Sequence, residues 1–283
     1  MFALALTTLD ARAAWPQNVD LYAMQEQDGE VVHDRELLGA SFRQLVMELG
    51  TLVSNKPNLP AETLGTYGFA VDLGSQFVLT EARDREGQAS PWARADLDEV
   101  APPYRLVPTV TMRKGLPMSA EVGASIGWIS GTSTGLFGGF ARVAVLEAYK
   151  PLPDVTLKLG YSGYVGNDQL DCAALDLGVT VGSSYPVGRL PGINTGHVSP
   201  YASFTTLRVR ANPTIDAAVE DELGTLRYST KAGDDGVAPA PPIALPEFGV
   251  GVQFVAGTAH LGVGAAWAPA TIPSVTTSFG FTY

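Results

Sequence analysis

Charge is scarce in this chain. Only 17% of its 283 residues are Asp, Glu, Lys or Arg, against about 25% in an ordinary soluble domain, so it is short of the side chains that cover a water-facing surface. Cations are scarcer still, with 18 Lys and Arg against 29 Asp and Glu and a net charge of −11. No basic cluster is present to displace counterions from a phosphate backbone, and nucleic acid is not expected as a partner. The lone cysteine, Cys172, excludes an internal disulfide framework and any multi-cysteine zinc or iron–sulfur site. His33, His197 and His260 lie far apart, none with a partner at the i+3 or i+4 spacing of a helix-borne metal site. No metal and no cofactor is therefore expected.

Glycine and proline, by contrast, are plentiful at 31 and 20 residues. Helix interiors reject both, which excludes a long helical bundle or coiled coil. Hydrophobic residues make up 46% of the chain, too many for intrinsic disorder. The first 14 residues, MFALALTTLDARAA, read as an export signal shortened at its start. Ala11-Arg12-Ala13 fits the small-x-small cleavage pattern, although a basic leading region is absent and Asp10 sits late.

Two long runs carry no Asp, Glu, Lys or Arg, 122–141 and 248–283. Each is long enough to cross a bilayer as a helix. Their interiors forbid it, because the second holds Pro269, Pro273 and several glycines, and the first has Gly131-Thr132-Ser133-Thr134-Gly135 at its centre. Both instead divide into stretches of about ten residues with period-two alternation, the length and pattern of a transmembrane β-strand. Phe248, Val250, Val252 and Phe254 oppose Gly249, Gly251 and Gln253. After a tight turn near Gly257, Leu261, Val263, Ala265 and Trp267 oppose His260, Gly262, Gly264 and Ala266. The last stretch sets Val275, Thr277, Phe279, Phe281 and Tyr283 against Thr276, Ser278, Gly280 and Thr282. Further strands are expected near 64–80, 104–114, 116–130, 135–149, 153–164, 169–183 and 198–210. The fold class is thus all-β, a closed antiparallel transmembrane β-barrel of about ten strands over 63–283 with an N-terminal helical segment over 15–62.

The aromatic end of the last strand resembles that of Gram-negative outer-membrane β-barrel proteins. These typically finish on an aromatic residue with apolar or aromatic residues two and four places earlier, here Tyr283, Phe281 and Phe279, although Phe is commoner than Tyr at the end. The resemblance implies that these three form a signal read by the barrel-assembly machinery, that outer-membrane lipid surrounds the protein, and that Tyr283 lies at the periplasmic side. Counting back from there puts the two longest connections, 81–103 and 211–245, outside the cell, where bacterial barrels carry their longer loops. Both are acidic, with Asp84, Asp96, Asp98 and Glu99 in one and Asp216, Glu220, Asp221, Glu222, Asp234 and Asp235 in the other.

Ahead of the barrel, 34–55 reads as a helix, with Phe42, Leu45, Val46, Leu49, Leu52 and Val53 at helical spacing, Asp34 as N-cap and Pro57 beyond its end. Two positions are open to it: a periplasmic cap over the barrel mouth, which is favoured, or a plug inside the lumen. If the apolar strand faces meet lipid, the opposite faces put Asp72, Arg105, Arg113, Glu121, Lys158, Asp176, Arg208 and Arg210 in the lumen. Such charges either pair with one another or line a constriction that selects solutes. Ten strands leave a narrow lumen at most.

Chemistry for catalysis is thin. His197-Val198-Ser199 resembles the His-x-Ser of outer-membrane lipid A deacylases, without an identifiable third partner. The expected function is passive transport of small or hydrophobic solutes, or a structural surface role. An outer-membrane enzyme acting on lipid or peptide and a soluble secreted β protein are the alternatives.

Overall fold

The computed structural model describes residues 19–27, 30–31, 33–54, 59–79, 91–95, 104–147, 152–187, 196–224, 227–230, 239–269 and 271–283. The expected export signal over 1–14 lies outside these residues, as do Asp84, Asp96, Asp98, Glu99, Asp234 and Asp235.

The alternating stretches form strands β1 Phe69–Leu79, β2 Tyr104–Leu116, β3 Ala120–Trp128, β4 Gly135–Leu146, β5 Asp154–Val165, β6 Leu170–Gly182, β7 Gly196–Pro213, β8 Ile243–Ala256, β9 Ala259–Trp267 and β10 Ser274–Thr282. Each pairs antiparallel with its neighbours in sequence, and β10 returns to pair with β1. In that seam Ser274 lies opposite Val78 and Phe281 opposite Val71. The barrel is therefore closed, and closure leaves no strand edge with unpaired backbone groups, which is what a sheet needs in lipid. A two-residue strand, Tyr185–Pro186, adds beside the start of β7.

The two mouths differ. At one, β2–β3 and β8–β9 are joined through 117–119 and 257–258, the latter made by Gly257 at φ +63°, a left-handed turn conformation that costs glycine little. The other two connections at this mouth are 147–153 and 183–195. The opposite mouth carries 80–103, 129–134, 166–169, 214–242 and 268–273. We call these the turn mouth and the loop mouth.

The outward face is apolar all round, with Leu73, Met112, Ile126, Leu159, Leu177, Val250, Leu261 and Val263 exposed. Leu177 and Val250 are 62% and 61% exposed. Water would not tolerate so extensive an apolar surface, which overturns the soluble alternative: a soluble barrel would turn these residues inward. Aromatic residues flank the belt at both ends, as interfacial girdles do. Tyr104, Trp128, Phe248 and Trp267 lie near the loop mouth, and Phe69, Phe279, Phe281 and Tyr283 near the turn mouth. Hydroxyls within the seam satisfy one another, with Ser75 Oγ and Thr277 Oγ1 2.8 Å apart. No described helix is long and apolar enough to cross a membrane; the strands do the crossing.

Candidate functional site

The lumen is filled by the chain's own N-terminal segment. Helix α1, Arg35–Val53, begins where expected, with the Asp34 carboxylate accepting from the backbone N–H groups of Glu36 and Leu37 at 3.1 Å each. Its apolar positions Leu38, Phe42, Leu45, Val46, Leu49, Leu52 and Val53 are all buried. They pack against inward residues from around the loop-mouth half of the wall, among them Val78, Val107, Leu136, Cys172, Leu207, Val209 and Ile243. Of the two positions open to the helix, the structure takes the lumen. It does not cap the turn mouth.

Several contacts fix α1 to the connections of the loop mouth. Arg35 pairs with Asp221 at 2.8 Å, on helix α3 (Ala217–Glu222) in the connection between β7 and β8. The Phe42 ring stacks on Tyr228 of the same connection, with centroids 6.4 Å apart. Burial pushes the Tyr228 phenol up, and the Arg43 charge pulls it the other way. The indole of Trp92, on the short helix α2 (Pro91–Arg94), donates to the buried Glu48 carboxylate at 2.7 Å, and Arg105 lies over its ring at 5.4 Å. Ahead of the helix, Val19 and Leu21 are sealed into the same mouth. Asn167 Nδ2 donates to the Val19 carbonyl at 2.7 Å, the Leu21 N–H donates to Gln169 Oε1 at 2.6 Å, and the Asp20 N–H donates to the Ala95 carbonyl at 2.7 Å.

Below the helix the chain continues as a strap over 59–68, held in the turn-mouth half by charged and polar wall residues. Arg142 donates to the carbonyls of Pro60 and Glu62, and Thr156 to that of Ala61. Glu147 accepts from the Thr63 N–H at 2.7 Å, and Glu121 from the Leu64 N–H at 3.2 Å. Lys114 reaches the Tyr67 carbonyl at 3.0 Å. The same groups bond one another. Arg113 donates to Asp72 at 2.9 Å and lies 3.5 Å from Glu121, which is also 3.5 Å from Arg142. His260 sits between Asp72 and the Thr282 hydroxyl, and Lys158 pairs with Asp176 at 2.8 Å. Glu121 and Asp176 are 0% exposed, so their partners carry the electrostatic balance that solvent carries elsewhere.

Six of the eight residues expected in the lumen, Asp72, Arg105, Arg113, Glu121, Lys158 and Asp176, point inward. Arg208 and Arg210 do not. On β7 the buried positions are Leu207, Val209 and Ala211, under α1, while both arginines are exposed on the outer side near the loop mouth. The expectation failed because the helix makes the lumen apolar at this level, so the apolar residues turn in and the charges turn out. Reading by sequence also overlooked Arg142, since β4 carries apolar residues on both faces. The register sets it between Glu121 on β3 and Lys158 on β5, and the opposite charge of Glu121 across the β3–β4 pair was the available signal.

Inward glycines make room for neighbours rather than for an open channel. The Phe140 ring covers Gly123, the Tyr201 ring covers Gly251, and the Asp176 carboxylate covers Gly160. Cavities of about 70 and 60 Å³ remain between plug and wall, one beside Leu52, Val53 and Gln76, the other beside Arg142, Lys158 and Tyr201. Each has room for several waters, far less than a solute path. His197 and Ser199 lie near the turn mouth on one inward face. The Ser199 hydroxyl is bonded to Ser184, and His197 lies 3.9 Å from Glu62. Phe279 and Phe281 face outward, their rings edge to face at 5.1 Å.

No family model matches this sequence, and no curated protein matches it. Among solved structures it is similar to the N-terminal β-barrel domain of Pseudomonas aeruginosa OprF, at 8% identity and a TM-score of 0.30 over 77% of this chain and 99% of that one. Acinetobacter baumannii Omp33 gives 12% identity and a TM-score of 0.31 over 77% and 98%. The transport unit of the Escherichia coli autotransporter AIDA-I gives 7% identity and a TM-score of 0.35 over 87% and 98%. These likenesses are too distant to carry an argument, and the class rests on the chain's own construction. A closed, even-stranded antiparallel barrel with an apolar outer belt, aromatic girdles and Asp72, Arg113, Glu121, Arg142, Lys158 and Asp176 turned inward is an outer-membrane β-barrel protein.

Proposed function

We propose that this is an occluded barrel with a structural role at the cell surface rather than a conduit for passive diffusion. One observation carries the reading: residues 35–54 and 59–68 occupy the lumen from mouth to mouth, bonded to the wall on the way. A pore that passes solute needs a continuous path, and the two cavities described between the helix, the strap and the inner wall are of about 70 and 60 Å³. The charged interior serves instead to hold the strap. In this reading outer-membrane lipid is the partner of the apolar belt. Phe279, Phe281 and Tyr283, exposed near the turn mouth, are the residues the barrel-assembly machinery would read.

Planar-bilayer recording of the purified full-length protein tests this. The occluded reading expects insertion, shown by heat-modifiable migration of the recovered protein, without steady conductance. Steady, open conductance would overturn it in favour of passive transport.

A further inference from the structure

The apolar rule of the outer wall is broken on β7. Arg208 and Arg210 face outward in its loop-mouth half, and no other cation of the described strands does so. The remaining outward cation, Lys114, lies at the turn mouth and is spent on the Tyr67 carbonyl. The wall beside the two arginines offers them no counter-charge. Arg208 stands between Leu175 of β6 and Ala244 of β8, and Arg210 stands opposite Ala173 of β6. Arg210 makes one long contact, 3.5 Å to the Thr230 hydroxyl, and Arg208 has no hydrogen-bond or ion-pair partner among the described residues. Asp171 also faces outward, two pairs further toward the rim and opposite Asn212, without an ion pair to either arginine.

Below the arginines the wall suits acyl chains. The register sets Phe204 of β7 opposite Phe248 of β8, and Phe248 opposite Trp267 of β9. The three rings run side by side, with centroids 5.2 and 6.1 Å apart. Such a row marks the interface of the belt, and Arg208 lies about 13 Å further along the strand toward the loop mouth, at headgroup level. There a guanidinium pairs with phosphate oxygens through two parallel N–H donors. Two of them on one strand face, about 7 Å apart along it, reach the same phosphate.

We infer that Arg208 and Arg210 form a phosphate-binding site on the outer wall, which holds the headgroup phosphate of a phosphorylated, multiply acylated glycolipid while its acyl chains lie over Phe204, Phe248 and Trp267. The glycolipid follows from the side: long loops face outward in bacterial barrels, and the outward leaflet is the one in which Gram-negative outer membranes carry that lipid. The inference rests on the reading of lipid as the partner of the belt and names the lipid. It does not involve the lumen, so it is independent of occlusion.

The full-length protein in detergent is titrated with bisphosphorylated lipid A, and bound lipid is counted by native mass spectrometry. Dephosphorylated lipid A, phosphatidylglycerol and inorganic phosphate are the comparison probes, and heat-modifiable migration confirms that each variant is folded. Lipid A should be retained over all three. An Arg208→Gln, Arg210→Gln pair should lose at least about tenfold in affinity, and Lys114→Gln should bind as the wild type does. Wild-type affinity in the arginine pair, an equal loss in Lys114→Gln, or equal retention of dephosphorylated lipid A would overturn the phosphate site. Phosphatidylglycerol held as tightly as lipid A would overturn the glycolipid, and inorganic phosphate bound with the affinity of lipid A would assign the site to the free ion. Conductance of the same preparation reports separately on occlusion.

Discussion

Gly50 of α1 lies against Val209 of β7 so closely that a Cβ at residue 50 would overlap both valine methyl groups. A glycine mid-helix costs about 0.5–1 kcal/mol relative to alanine, so propensity alone would make Gly50→Ala stabilising. Crowding against a stiff β-branched side chain costs about 1–3 kcal/mol and wins. Gly50→Ala should lower the midpoint of urea unfolding in detergent, and the same change in a Val209→Ala background should raise it relative to Val209→Ala alone. Stabilisation in both backgrounds would mean that the helix does not press on β7.

Glu121 serves Arg113, Arg142 and the Leu64 N–H at once. Its removal leaves two buried cations short of a counter-charge. Glu121→Ala should cost about 3–5 kcal/mol, read by unfolding titrations followed by tryptophan fluorescence. Glu36→Ala, at an exposed site in the first turn of α1, should cost less than about 1 kcal/mol by the same measure.

Adjacent residues on β7 should behave oppositely. Cysteine placed at Arg208 or Arg210 should react readily with a water-soluble maleimide, and cysteine at Val209 should not. Reversing both arginines to Glu should leave the lumen unchanged, because neither side chain enters it. Deeper in the belt, Val252→Arg should cost about 2–4 kcal/mol if the residue lies near the midplane, measured by reversible folding into liposomes. Equal labelling at 208 and 209 would show that the strand register is wrong.

Cys172 is an internal reporter of plug packing. It is 1% exposed on the inward face of β6, within the cluster formed by α1. The folded protein should resist maleimide, and labelling should begin with global unfolding. Labelling that precedes the loss of barrel circular dichroism would show the helix leaving an intact barrel, contrary to a single cooperative unit.

The belt and the strand positions were legible in the sequence because lipid enforces a period of two on one face of nearly every strand, as in Phe248, Val250 and Val252 of β8. Inward facing of Asp72, Arg113, Glu121 and Asp176 followed from the same parity. The rule broke at Leu207–Val209, where a second apolar partner waits inside. Parity cannot distinguish an apolar residue facing lipid from one facing a helix. The plug was legible as a helix, down to the Asp34 cap, yet its address was not. That address is set by pairings such as Leu64 with Glu121 and Val19 with Asn167, which join residues more than fifty positions apart and leave no local pattern.

The seam between β1 and β10 has a kinetic consequence. The backbone of Phe69, directly after the strap, exchanges two 2.8 Å hydrogen bonds with Tyr283, so the barrel zips shut beside the segment that fills it. These partners stand more than two hundred residues apart, and contacts of such separation form late because the loop between them must first be closed. A helix and strap that dock while the wall is still an open sheet avoid having to pass through a mouth of the closed barrel. Barrel closure then encloses them, and its timing relative to α1 docking decides whether the chain ends filled or empty.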